Sequence, residues 1–240
     1  MARVAIIAAM PGELKPLVRG WRRERSQGVE LWRWKFDEGE WIASCAGAGV
    51  DAATRAFAQV EKMATPDFVI SIGWAGALTL ALETGRVYRP SGVIDARTGE
   101  RFQVAIWDQE RWLITSPIVA NEAEKRRLAA AYKADLVDME AAGVARLAQM
   151  RGIPFYCFKG ISDGYNDHLP DLNSFIAANG QFEMSRFVVS STMRPWQWPA
   201  LIRMGENSKK AAQSIAESVL DFLDEQSYIR RRNDYPNFSG

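Results

Sequence analysis

The chain has 240 residues, 48% hydrophobic and 25% charged, with 30 Lys and Arg against 29 Asp and Glu for a formal net charge of +1. That balance is that of a globular protein and excludes a disordered chain. The lack of a basic excess argues against nucleic acid as a partner, because such partners are held largely by phosphate neutralisation. Two cysteines, Cys45 and Cys157, and the single His168 are too few for a disulfide framework or a four-ligand zinc site. Both cysteines lie in apolar runs and read as small core residues. Met1-Ala2-Arg3 runs directly into apolar residues with no leader pattern, and nothing approaches a membrane span. The expectation is a cytoplasmic protein without a metal.

Val4 to Ala9 reads as a strand buried on both faces, broken by Pro11-Gly12, with a helix starting over Glu13 to Val18. Leu31 to Phe36 and Trp41 to Ala46 predict two strands around the turn Asp37-Glu38-Gly39-Glu40. Gly47-Ala48-Gly49 opens a helix over Asp51 to Met63. Phe68 to Ile72 is a buried strand ending in the turn Gly73-Trp74-Ala75-Gly76, and β-like stretches follow at Gly92 to Asp95, Phe102 to Trp107 and Trp112 to Thr115. Glu122 to Lys133 and Glu140 to Met150 read as helices, and Ile153 to Ile161 as a strand stopping at Ser162-Asp163-Gly164. Phe175 to Glu225 is mostly helical with a break at Pro195 to Pro199, and 229–240 reads as a loose tail. Alternating strands and helices indicate a three-layer α/β fold with a central mixed β-sheet flanked by helices, and no linker divides residues 1–240.

Ligands of such folds collect at the carboxyl ends of strands. Three turns of that kind bring a carboxylate: Glu13 after the first strand, Glu140 after Leu136-Val137, and Asp163 after Ile161. Each also has an ordinary reading, since acids at helix starts stabilise the macrodipole or act as caps.

Four ordered segments carry a resemblance. Ala8-Ala9-Met10-Pro11-Gly12-Glu13, Val69 to Leu78, Val137-Asp138-Met139-Glu140-Ala141-Ala142 and Phe158-Lys159-Gly160-Ile161-Ser162-Asp163 are together similar to the nucleoside phosphorylase/hydrolase superfamily, nearest to its methylthioadenosine/S-adenosylhomocysteine nucleosidases. The resemblance implies a nucleoside phosphorylase-like sheet and catalysis without metal or organic cofactor. It implies that Glu13 activates the attacking water, that Glu140 with Met139 holds the ribose hydroxyls, and that Asp163, held by Ser162, protonates N7 of the departing purine. Gly73, Trp74, Ile118, Val119 and Lys159 fall at further substrate-binding positions. The activity implied is hydrolysis of a purine nucleoside, in the form of a 5′-modified adenosine, by a cytoplasmic homo-oligomer engaged in nucleoside catabolism.

The chain departs from the pattern in specific places. Ser71 and Trp74 stand where related phosphorylases have an arginine and a serine for phosphate, which favours water as nucleophile. Arg86 or Arg89 could replace those donors, so a phosphate-dependent phosphorylase, including the hopanoid-associated type that acts on an adenosyl lipid, stays open, as does a non-catalytic nucleoside-binding protein. Lys159 replaces an arginine, and Thr115 to Val119 contains no aromatic to stack on a base. The stretch from Pro90 to Thr115 is short for the family, and the carboxyl-terminal third is long. Arg194-Pro195-Trp196-Gln197-Trp198 reads as a tryptophan-packed helix corner, or else as an interfacial element in peripheral membrane contact. His168 reads as a solvent-facing loop residue.

Overall fold

A computed structural model describes residues 3–36, 39–107 and 109–234. Strand β1 (Arg3–Ala8) leads through the single turn α1 (Pro11–Leu14) to β2 (Arg22–Ser26), β3 (Val29–Phe36) and β4 (Gly39–Cys45). Helix α2 (Val50–Met63) precedes the long β5 (Phe68–Ala77), and β6 (Val87–Tyr88), β7 (Gly92–Asp95), β8 (Arg101–Gln103) and β9 (Trp112–Thr115) follow. Then come α3 (Glu122–Tyr132), β10 (Leu136–Asp138), α4 (Ala141–Arg151) and β11 (Phe155–Asp163). A 3-10 turn (Asn173–Phe175), α5 (Met184–Thr192), a second 3-10 turn (Pro195–Gln197) and α6 (Trp198–Asp234) complete the chain. Residues 229–234 of the expected tail continue α6, while 235–240 and the turn residues 37 and 38 lie outside the described residues.

The strands form one mixed sheet in the order β2-β3-β4-β1-β5-β10-β9-β7-β8, the expected architecture. β5 is its trunk: β1 and β11 run parallel to its body, and β10 joins antiparallel at its far end, Leu136 opposite Ala77. Alternation along β1 explains the two-sided core. Ala5 and Ile7 face α2 and α4 with Phe57, Val60 and Val144, whereas Ile6 and Ala8 face α6 with Ile215, Val219 and Phe222. A third apolar cluster, containing Ile94, Ile114, Leu128 and Val137, seats α3 beside the outer strands. No helix among the described residues is long and apolar enough to cross a membrane.

Several local expectations need correction. The glycine-rich segment 73–76 is no turn but the outer half of β5, because its pairing with β11 continues as far as Asp163 opposite Gly76. The first helix is one turn only, ending before Pro16. β2 went unseen because Arg22-Arg23-Glu24-Arg25-Ser26 has no apolar alternation; it is an exposed edge strand held by its pairing with β3. Residues between the first 3-10 turn and α5 are not helical. His168 is a solvent-facing residue, its side chain 85% exposed and its Nδ1 2.9 Å from Glu122.

Gly160 on β11 lies directly beneath α6. A Cβ there would stand 2.8 Å from Ala211 Cβ and 3.0 Å from the Ala211 carbonyl. Gly160→Val should therefore lift α6 from the sheet and cost about 1–3 kcal/mol of stability, the range for overpacked cores. Urea unfolding checks it; an unchanged midpoint would mean that α6 is not rigidly seated.

Candidate active site

The end of β1, the outer half of β5, the turn after β10 and the last residues of β11, Ser162 and Asp163, supply the candidate site, as the strand-end rule requires. Glu13, in α1, is 3% exposed, and its carboxylate reaches back to the strand end that precedes it. Its Oε2 accepts the N–H groups of Ala9 and Met10, each at 2.8 Å, and its Oε1 accepts the N–H of Trp74 at 2.8 Å. A carboxylate offers about four acceptor positions, so this one, with three occupied, keeps one for a further donor. Burial raises the Glu13 pKa, against the lowering effect of the Trp74 and Met10 N–H groups, the Lys159 charge and the Ala9 N–H. Gly73 owes its identity to this carboxylate: a Cβ at residue 73 would sit 2.8 Å from Glu13 Oε1.

Beneath Glu140 lies a buried ion pair that the resemblance alone did not reveal. Lys159 Nζ stands 2.8 Å from Asp138 Oδ2, with both side chains fully buried. Asp138 also accepts the Thr115 hydroxyl at 2.7 Å and the Ala141 N–H at 2.9 Å, and Thr115 Oγ1 accepts the Ala142 N–H at 3.0 Å. The carboxylate thereby caps α4, ties it to β9 and fixes the turn that presents Met139 and Glu140. Burial pulls the Lys159 pKa down, but the charges of Asp138, Cys157 and Glu140 outweigh it and leave the ammonium more basic than usual. Lys159 is thus a fully buried counter-ion of Asp138, beneath the turn that presents Glu140.

Glu140 accepts the Gly49 N–H on Oε1 at 2.8 Å and the Met139 N–H on Oε2 at 3.2 Å, leaving acceptor capacity for hydroxyl donors. Burial, then the Asp138 charge, push its pKa up to about 8; Lys159 opposes this, Glu13 adds to it, and the Gly49 N–H lowers it. Asp163 is held from two sides. Ser162 Oγ donates to its Oδ1 at 2.7 Å, as expected, and Lys125 forms an ion pair with its Oδ2. Lys125 is completely buried and also donates to the Gly164 carbonyl at 2.6 Å. Nothing in the charged pattern of α3 distinguished Lys125 from its exposed neighbours; only packing turns it inward. Gly76 repeats the role of Gly73, since a Cβ there would lie 2.9 Å from Asp163 Oδ2.

Trp74 is a packing residue: its ring touches Gly12, and its Nε1 donates to the Ser208 carbonyl of α6 at 2.9 Å. Ile118 is 46% exposed, with its N–H and C=O turned to the Ser116 hydroxyl. The Val119 N–H donates to Asn173 Oδ1 at 2.7 Å, and Asn173 Nδ2 donates back to the Val119 carbonyl at 3.0 Å. The Val119 backbone is thus engaged on both its N–H and its C=O by a side-chain amide, which offers an acceptor beside a donor. Beside Glu140, a cavity of about 200 Å³ is lined by Gly49, Ser116, Met139 and Arg97, and roofed by residues 176–180. The roof is tied down where the Ala48 N–H donates to the Gly180 carbonyl at 2.7 Å. Of the two alternative phosphate donors, Arg86 pairs with Glu83 at the surface, and Arg89 stacks over the Phe158 ring.

Two predictions follow from the charge network. The folded protein holds the Glu140 proton up to about pH 8, whereas the unfolded chain releases it near 4.5. The folded state therefore binds more protons across that window, and its stability falls as pH rises through it. Thermal midpoints measured from pH 5 to 8 should decline, and Glu140→Gln should flatten the decline; an unaltered slope would refute the assignment. Lys159→Met strands the buried Asp138 carboxylate and should cost about 3–5 kcal/mol in urea unfolding, with Asp138→Asn in the same chain recovering most of it. No recovery would show that the lysine acts by packing.

Known proteins supply a consistent frame. The chain is similar in structure to Helicobacter pylori 5′-methylthioadenosine/S-adenosylhomocysteine nucleosidase bound to butyl-thio-DADMe-Immucillin-A, at TM-score 0.71 and 17% identity over 94% of this chain and 99% of that one. It is similar to Arabidopsis thaliana 5′-methylthioadenosine nucleosidase at TM-score 0.70 and 17% identity, over 93% of this chain and 95% of that one. A futalosine hydrolase mutant of Helicobacter pylori aligns at TM-score 0.71 and 17% identity, over 94% of this chain and 100% of that one. At these identities the likeness is one of fold. A sequence search of curated proteins gives no match. The family model of the phosphorylase superfamily matches residues 3–109 and 111–187, most of the chain, and the chain belongs to that superfamily.

Proposed function

We propose that the protein hydrolyses the N-glycosidic bond of a purine nucleoside, a 5′-modified adenosine, releasing the free base. The observation that carries this reading is that Glu13 and Asp163 abut the outer half of β5 at Gly73 and Gly76 while Glu140 lies within range of the Glu13 charge, each carboxylate individually held. Breaking an N-ribosidic bond leaves positive charge on the sugar and negative charge on the base. Glu13, with one acceptor position spare, takes a proton from water as the water oxygen bonds to the anomeric carbon. Glu140 accepts the ribose hydroxyls and faces the growing cation. Asp163 delivers to the purine a proton drawn from the Lys125 ammonium across their ion pair, as the C–N bond electrons pass to the base, and the proton that Glu13 takes from water restores the charge balance of the site. For the Val119 backbone to meet the base, Asn173 has to yield its two hydrogen bonds.

Water is favoured over phosphate because the side chains at residues 71 and 74 carry no cation, and a buried dianion requires several donors. The methylthioadenosine nucleosidases of similar fold support the 5′-modified adenosine. The same reading includes a cytoplasmic homo-oligomer, which light scattering tests.

Base release from methylthioadenosine, S-adenosylhomocysteine, adenosine and inosine should proceed without phosphate and yield free sugar. Strict dependence on phosphate, with a ribose 1-phosphate product, would replace hydrolysis by phosphorolysis. Asp163→Asn should abolish most turnover while leaving nucleoside binding within about tenfold, because it deletes a proton donor rather than a contact surface. Equal loss of binding and rate would contradict that role.

A further inference from the structure

The segment from α5 into α6 has a surface unlike the rest of the molecule. Met184, Val188, Val189, Met193, Trp196, Trp198 and Ile202 are all exposed, with Met193 at 75% and Trp196 at 73%. The expectation of a tryptophan-packed corner fails here: Trp196 stands outward from its 3-10 turn. α5 is anchored from its other side, where Phe187 packs edge-on against Phe175 and Phe182 at 5.4 and 5.2 Å. Isolated exposed apolar residues are ordinary, but a run of large ones on consecutive elements marks an interaction surface.

Charge identifies the partner. Between Met184 and Gly205 the sequence holds Arg186, Arg194 and Arg203 and no acid, in a chain whose formal net charge is only +1. Arg186 is paired with Glu183, whereas Arg194 and Arg203 make no ion pair with a described residue. Beyond the exposed Glu206, Lys209 and Lys210 are exposed on the next turn of α6. An isologous contact with a second copy would set these arginines against their own equivalents with no acid of the same segment between them. An anionic lipid surface meets both halves of the pattern. Its headgroups take the guanidinium groups, and its acyl boundary takes Trp, Met and Val side chains, the tryptophans seating where one end is apolar and the other wet.

We infer that the face formed by α5, the Pro195–Gln197 turn and the start of α6 docks the protein peripherally on anionic membrane. In sequence the face follows within a few residues the segment 176–180, which lines the cavity next to Met139. The inference is independent of the catalytic reading, because none of these residues belongs to the carboxylate site.

Vesicle flotation of the full chain tests it. The protein should float with vesicles of 30% phosphatidylglycerol in phosphatidylcholine and stay below with pure phosphatidylcholine, and raised salt should weaken the recovery. The double variant Trp196→Ala/Trp198→Ala and the pair Arg194→Ser/Arg203→Ser should each lower the bound fraction at least tenfold, with the thermal midpoint and base release from soluble nucleosides unchanged. No flotation with either vesicle, or equal flotation of wild type and both variants, would overturn the proposal. So would a dimer in sedimentation velocity that the tryptophan variant dissolves, since the face would then be covered by a second copy.

Discussion

Lys159 carries a full charge in a place without water, and Asp138 makes it tolerable there. Two ions removed from solvent are stable only when their remaining hydrogen-bonding capacity is satisfied. Here Thr115 and the Ala141 N–H complete the shell of Asp138. The consequences spread outward through short links. β9 is tied to β10 and α4, the first turn of α4 is capped, and Met139 and Glu140 are presented at a fixed angle. The lysine also moderates the pKa values of Glu13 and Glu140, which burial alone would drive still higher. Lys159 thus serves Asp138, Glu13 and Glu140 together, as the buried Lys125 serves Asp163.

The second constraint is space. Glu13 and Asp163 approach β5 so closely that a side chain at residue 73 or 76 would collide with a carboxylate oxygen. Glycine in a strand weakens it through chain entropy and marks a close approach of other groups. In β5 that loss is offset by three neighbours, β1, β10 and β11, which hold the strand along its length. The trunk of the sheet can therefore afford glycine at the two places where a carboxylate packs against it. Trp74, between them, fastens α6 through Ser208.

Around this rigid centre the later part of the chain is more lightly attached. The stretch from Asn173 to Gly180 is held by the Asn173 amide on Val119 and by the Gly180 carbonyl on Ala48. Both are hydrogen bonds that a ligand edge or water could replace, whereas the carboxylates are fixed by several bonds each. Beyond it, α5 rests on a small aromatic cluster and leaves its apolar side uncovered.

Much of this was legible in the residues themselves. Buried β runs alternating with amphipathic helices determine a three-layer sheet, because apolar periodicity dictates which faces must be covered. The order of Glu13, Glu140 and Asp163 at three strand ends singled them out as candidates, since strand ends in such sheets are where ligands gather. Tertiary structure alone decided the rest. That Lys159 pairs with Asp138, and that Lys125 turns in from an exposed-looking charged helix to pair with Asp163, depends on which side chains meet across 20 or more residues of sequence. The same holds for Asn173 reaching Val119, and for Trp196 facing outward where its flanking prolines suggested a packed corner. Sequence pattern records what each segment must bury; it carries no record of which distant charge or amide completes it.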